Sequence, residues 1–122
     1  MFFVTKTNIL LFVNMNLRKR GDRAVLFKKP YKTLMTRHLN DDIADSEEMA
    51  KAVYEAMQRF SNGDWGELCQ DDKEANNQDL ENRDGHVLAR YKTPNGDIYI
   101  NLEFDEASMD SDVAMIMYCS EY

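Results

Sequence analysis

The amino-acid sequence predicts an α+β fold, two helices followed by a three-stranded antiparallel meander, which an N-terminal hairpin could extend. Three observations carry this expectation. Apolar residues recur at spacings of three and four along Glu47–Phe60, the mark of one buried helix face. From His86 the hydrophobic period falls to two, on either side of the turn signal Pro94-Asn95-Gly96-Asp97. Val113–Cys119 is apolar at nearly every position, as expected of a central or doubly covered strand.

In chain order, Phe2–Val4 and Ile9–Val13 read as short strands or a hydrophobic flap, with Arg18–Arg23 around Gly21 as a turn between Ile9–Leu17 and Ala24–Phe27. Asp45 or Ser46 can cap the first helix, and Asp45 with Glu48 has capping-box spacing. Its stripe is Met49, Ala50, Val53, Tyr54, Met57 and Phe60, and Gly63 suits a left-handed stop after it. Asp64 with Glu67 repeats the capping-box spacing, so a second helix is expected from there to Leu80, on a weaker stripe of Trp65, Leu68, Cys69 and Ala75. Asp72 and Asn76 share that face, so this helix should bury only its Trp65 end. Val87, Ala89 and Tyr91, then Ile98, Ile100, Leu102 and Phe104, mark the inward sides of the two hairpin strands.

Charge divides the chain. Residues 1–40 hold nine Lys/Arg against the single acid Asp22, a net +8, whereas residues 41–122 hold six against twenty-one acids, a net −15. The whole-chain value of −7 describes neither part. The domain organisation expected from this is a basic arm or hairpin, residues 1–44, and an acidic α-α-β-β-β domain, residues 45–122. Met35, just before the change of sign, could also serve as a translation start. With 43% hydrophobic and 11% aromatic residues the composition is that of a folding chain.

Several function classes find no support. The early apolar run precedes its positive charges rather than following them, and Ile9–Val13 is far shorter than the ~20 residues a bilayer requires, so neither a secretory signal nor a membrane span is expected. Cys69 and Cys119 stand far apart without a second pair and read as reduced core thiols in a cytosolic, cytoplasmic protein. Neither cysteine has a partner at zinc spacing. Asp105, Glu106, Asp110 and Asp112 resemble a calcium loop only superficially, because the alternating acidic order and the glycine are missing. The only histidines are His38 and His86, and a Cys/His nucleophile would need a thiol taken off the apolar stripe. No catalytic residue, no metal ligand and no cofactor is therefore expected.

Two binding readings remain. In the first, Asp71, Asp72, Glu74, Asp79, Glu81 and Asp84 form an acidic face that competes with DNA or RNA for the basic groove of a nucleic-acid enzyme. In the alternative, the arm binds nucleic acid directly. Arg18, Lys19, Arg20, Arg23, Lys28 and Lys29, with Lys32 and Arg37, would neutralise phosphates while Tyr31 stacks.

The run Gly63-Asp64-Trp65-Gly66-Glu67-Leu68-Cys69, with Asp71-Asp72-Lys73-Glu74-Ala75-Asn76 behind it, resembles a family of small, largely uncharacterised proteins of plasmids and other mobile elements. The resemblance covers roughly Ser61–Tyr122. It departs at Cys119-Ser120-Glu121-Tyr122, where Pro-Glu-Glu-Tyr would be expected. It implies a non-catalytic plasmid or phage protein whose partner is a host protein, a nucleic-acid-targeting nuclease or its complex. An anti-CRISPR or anti-restriction inhibitor acting by protein–protein interaction is the expectation that joins this provenance to the acidic charge. Physically, the motif reads as structure: Asp64 and Glu67 as caps, Gly66 as room for close packing, and Trp65 as a buried anchor against the strand Ile98–Phe104.

Overall fold

A computed structural model describes residues 2–4, 9–13, 27–107 and 111–122. Six strands, β1 (Phe2–Val4), β2 (Ile9–Val13), β3 (Tyr31–Thr36), β4 (His86–Tyr91), β5 (Ile98–Glu103) and β6 (Asp112–Tyr118), form one sheet in the order β1-β2-β3-β6-β5-β4. Three helices, α1 (Arg37–Asp45), α2 (Glu47–Ser61) and α3 (Gln70–Asn82), lie between β3 and β4 in the chain. A single 3₁₀ turn at Cys119–Glu121 closes the C-terminus. The fold class is α+β.

The meander is present but is only part of the sheet. β4, β5 and β6 pair antiparallel in sequence order, with Tyr91 opposite Ile98 and Ile98 opposite Tyr118. The far side of β6 then takes β3 in parallel, Tyr31 against Asp112 and Met35 against Ile116. The apolar run from Val113 is thus an internal strand with neighbours on both sides, which explains why it lacks alternation. Phe2–Val4 and Ile9–Val13 are strands as expected, β1 paired with β2 and β2 with β3, both antiparallel. The turn expected at Arg18–Arg23 lies outside the described residues, as does the strand at Ala24–Phe27 except for Phe27, which is not in a strand.

One hydrophobic core joins the helices to the sheet. Met35 and Leu39 are packed together with Met49, Val53, Ala56, Met57 and Phe60 of α2 and with Val87, Ala89, Ile100, Leu102, Ala114 and Ile116 of the strands. Residues 31–44 therefore fold with the body, and a boundary at 44/45 would cut through this core. Arg37–Asp45, at the end of the expected arm, is α1, an amphipathic helix that buries Leu39 completely. Ser46, not Asp45, caps α2, its hydroxyl accepting from the Met49 amide at 3.1 Å. Within α2 the core positions are Met49, Val53, Ala56, Met57 and Phe60, whereas Tyr54, placed on the stripe by spacing, is exposed.

The second helix begins later than predicted. Asp64 and Glu67 do not cap it; α3 starts after Cys69, and its buried residues are Asn76 and Leu80. Trp65 precedes the helix, and Ala75 is exposed. Asp64 instead serves the corner before α3, accepting from the Gly66 amide at 3.0 Å and from Arg59 Nε at 2.7 Å. The Arg59 hydrogen bond, helped by the Gly66 amide, holds the Asp64 carboxyl below the ordinary carboxylate value in spite of partial burial. Gly63 takes the left-handed conformation that ends α2, at φ 81°.

Trp65 is the buried anchor the motif promised, 2% exposed. Its partners differ from those expected: the ring stands edge-on to Phe60 at 5.3 Å, and the indole N–H donates to Asn77 Oδ1 at 2.8 Å. The neighbouring main chain meets β4 rather than β5, with the Arg90 amide donating to the Trp65 carbonyl and the Glu67 amide to the Arg90 carbonyl. A Cβ on Gly66 would stand 1.9 Å from the Arg90 carbonyl oxygen, so the approach requires glycine.

Candidate partner-binding surface

α3 places three of the six predicted acids on one solvent-facing surface. Asn76 and Leu80 turn inward, and helical periodicity then sends the residues on the opposite side of α3 outward. Asp71, Glu74 and Glu81 follow one row at spacings of three and seven, whereas Asp72 lies on the side of Asn76 and Leu80, in the first turn beyond them; all four are exposed. The row spans about 15 Å at 1.5 Å per residue. Asp71 and Asp72 lie in the first turn, where carboxylates complement the positive end of the helix dipole.

Not all six acids join this surface. Asp79 is half-buried and leans back toward Gly85, its Oδ2 3.6 Å from where a Cβ there would stand. Asp84 is exposed but lies past the end of α3. Among the described residues Asp71, Asp72 and Glu74 enter no ion pair, although Gln70 Nε2 donates to Glu74 at 3.5 Å. Glu81 is the exception. The Lys28 ammonium stands 3.8 Å from its carboxylate and donates to its carbonyl at 2.7 Å.

The predicted basic set is divided. Arg18, Lys19, Arg20 and Arg23 lie outside the described residues. Lys28 and Lys29 fold back onto the body, Lys29 donating to the Asp105 carbonyl at 2.8 Å and standing 3.6 Å from the Asp112 carboxylate. Tyr31, expected to stack on a base, is occupied by Phe27 at 5.2 Å and Phe60 at 5.9 Å.

Two polar clusters escaped the sequence reading. At the end of α3, Arg83 adopts a left-handed conformation with φ 52°, uncommon for a residue with a side chain. Its guanidinium forms a fork with Asp112, Nη1 at 2.8 Å and Nη2 at 2.9 Å, contacts Glu106 at 2.8 Å, and lies over the Phe104 ring. Asp112 also accepts from the Asp105 amide at 2.8 Å. Burial pushes the Asp112 carboxyl up, but the Arg83 and Asp105 hydrogen bonds and the charges of Arg83 and Lys29 outweigh it, leaving it below the ordinary value. Of the acids considered as a calcium loop, Glu106 and Asp112 are committed to Arg83, the Asp105 carboxylate accepts from the Ala107 amide at 3.1 Å, and Asp110 lies outside the described residues. No group of His, Cys, Asp and Glu among the described residues is arranged to hold a metal ion.

The second cluster joins α1 to the C-terminal turn. Tyr118 donates its hydroxyl to Asp42, and burial together with that bond raises the phenol above its ordinary value. His38 stands between Asp42 and Glu121, 3.7 and 3.9 Å away. Glu121 in turn accepts from the Thr36 hydroxyl and the Tyr118 amide. The spacing of His38 and Asp42, four residues apart, was the available signal, but it has meaning only once the segment is known to be helical.

The thiols differ from expectation. Cys69 is exposed at the start of α3 rather than packed on an apolar stripe, and Cys119 is half-buried with its thiol raised by that burial. Both are free. No helix among the described residues is long and apolar enough to cross a membrane. No protein family, curated protein or solved structure matches the chain.

Proposed function

We propose that this protein acts by binding, presenting the outer surface of α3 to a basic groove that otherwise holds nucleic acid, as a mobile-element antagonist of a host nuclease-based defence such as CRISPR or restriction. The observation that supports this reading is that Asp71 and Glu74 on the outer side of α3, and Asp72 in its first turn, stand exposed and, among the described residues, outside any ion pair. Acids neutralised within the chain would have little charge to offer a partner; these keep theirs, and a patch of like charge raises the rate of encounter with an oppositely charged groove. The alternative, nucleic-acid binding through the basic arm, draws less support, because Lys28, Lys29 and Tyr31 are engaged within the fold.

The test is inhibition of DNA cleavage by a panel of CRISPR and restriction nucleases. The triple variant Asp71→Lys, Asp72→Lys, Glu74→Lys should lose inhibition while its melting temperature stays within a few degrees, since exposed charges contribute little to stability. Inhibition by the parent protein should weaken steeply with added salt. A triple variant that inhibits as well as the parent would sink the reading.

A further inference from the structure

We infer that His38 is the pH-sensitive clasp of a strap: protonation of its ring fastens the C-terminal turn Cys119–Glu121, with Tyr122, to α1, and loss of the proton lets the strap loosen. The strap buries none of its residues. Its start is anchored, the Cys119 amide donating to the Asp97 carbonyl at 3.0 Å. Beyond that point Tyr122 is exposed, with its amide bonded to the Cys119 carbonyl at 3.2 Å and its ring edge-on to Tyr99 at 5.2 Å. Glu121 makes the link across to β3 and α1. Its Oε1 accepts from the Thr36 hydroxyl at 2.9 Å and from the Tyr118 amide at 3.0 Å, whereas its Oε2 faces His38.

His38 is placed so that only its charged form serves both neighbours. Nε2 stands 3.7 Å from Asp42 Oδ2 on its own helix, and Nδ1 stands 3.9 Å from Glu121 Oε2 on the strap. A neutral imidazole has one N–H and could donate to one of them; the imidazolium has two. Both separations exceed a hydrogen bond, so the neutral ring is fastened to neither, and a positive charge draws both carboxylates in. The Tyr118 ring, 5.1 Å away between centroids, is an aromatic neighbour that also favours a cation. Asp42 Oδ2 accepts the Tyr118 hydroxyl as well, which holds that carboxylate in place. Arg37 and Asp41, the other charged residues beside His38 on α1, are exposed and, among the described residues, form no ion pair with it. Loss of the proton has a second effect, because it leaves the like charges of Asp42 and Glu121 on either side of an uncharged ring. Histidine is the side chain that ordinarily changes charge between about pH 5 and 8, where carboxylates ordinarily stay ionised. The strap is therefore fastened toward the lower end of that range and slack toward the upper end.

Nuclear magnetic resonance of the whole chain from about pH 5 to 8 tests this. The Overhauser contact between the Tyr122 and Tyr99 rings should weaken as pH rises. Exchange protection of the Tyr118 and Tyr122 amides, corrected for the intrinsic rate at each pH, should fall with it by roughly three- to tenfold, the scale of two partly exposed ion pairs. The midpoint should coincide with the titration of the His38 ring in the same spectra. His38→Gln should abolish the pH dependence, and His38→Arg, a permanent cation, should keep the strap fastened across the range. Protection that does not change with pH, or that follows the ring of His86 instead, overturns the inference, as does a folded His38→Gln variant with the parent's pH dependence. His38 is exposed and outside the core, so both variants are expected to fold; should one fail to, the comparison of midpoints in the parent decides.

Discussion

Asp112 offers the sharpest stability test. Its side chain is 3% exposed, and it accepts both Arg83 bonds and the Asp105 amide while facing Lys29 at 3.6 Å. Asp112→Asn keeps the shape but removes the charge and turns an NH₂ group toward donors. Arg83, only 19% exposed, is left with Glu106 alone. Breaking a buried pair from one side costs about 3–5 kcal/mol, a large fraction of the roughly 5–15 kcal/mol available to a domain. The expected fall in melting temperature for a chain of this length is roughly 10–20 °C. Chemical denaturation followed by circular dichroism would measure it. The pH dependence follows from the sign of the shift. With the folded carboxyl below the unfolded value of about 3.9, its stabilisation is complete above that value and is lost as pH falls through the folded one. The parent and Asp112→Asn should therefore differ fully at pH 7 and converge in acid. A further loss from Arg83→Met in the Asp112→Asn background should be smaller than the same change in the parent, because the two act through one contact. A loss below about 1 kcal/mol at pH 7, or one that does not shrink in acid, would refute the assignment of Asp112 as the ionised centre of this network.

Trp65→Ala should cost about 3–5 kcal/mol, the range for a buried aromatic, and Trp65→Phe a smaller amount that includes the Asn77 bond; a melting temperature unchanged within a degree or two would mean that the ring is exposed. Deleting residues 1–34 removes all of β3 but Met35 and Thr36, and with it the parallel neighbour of β6. The fragment 35–122 should then lose cooperative thermal unfolding, and a sharp calorimetric transition at the parent's temperature would show that the body stands without it.

Local pattern was legible wherever one face of an element meets the core. The stripe of α2 and the alternation of β4 and β5 each repeat often enough to outweigh single misplacements such as Tyr54. The parallel pairing of β3 with β6 was not legible, because nothing local in Tyr31–Thr36 points to a strand so distant in sequence. α1 was hidden by charge, since Arg37–Asp45 contributes one fully buried residue, Leu39, within a polar run. The motif around Trp65 was correctly read as structure but for the wrong element. Capping-box spacing at Asp64 and Glu67 describes a local helix start, whereas the residues are used for a long-range contact with Arg90. The exposed acids of α3 were found by composition, yet Asp79 is set apart by its angular position about the helix and Asp84 by lying past the helix's end at Asn82.

The position of β6 has a consequence for how the chain acquires its structure. The strand is synthesised last of the six, yet it fills the gap between β3 and β5, and Tyr31 must wait for Asp112 before either gains its partner. A nascent chain can form the α1–α2 pair and the β4–β5 hairpin early, since these are local. The sheet itself closes only through contacts of high sequence separation, which slow folding at a given stability. Until then β3 and β5 each present an unpaired side. Refolding should show early helix signal followed by a slower phase in which the β3 and β6 amides become protected together.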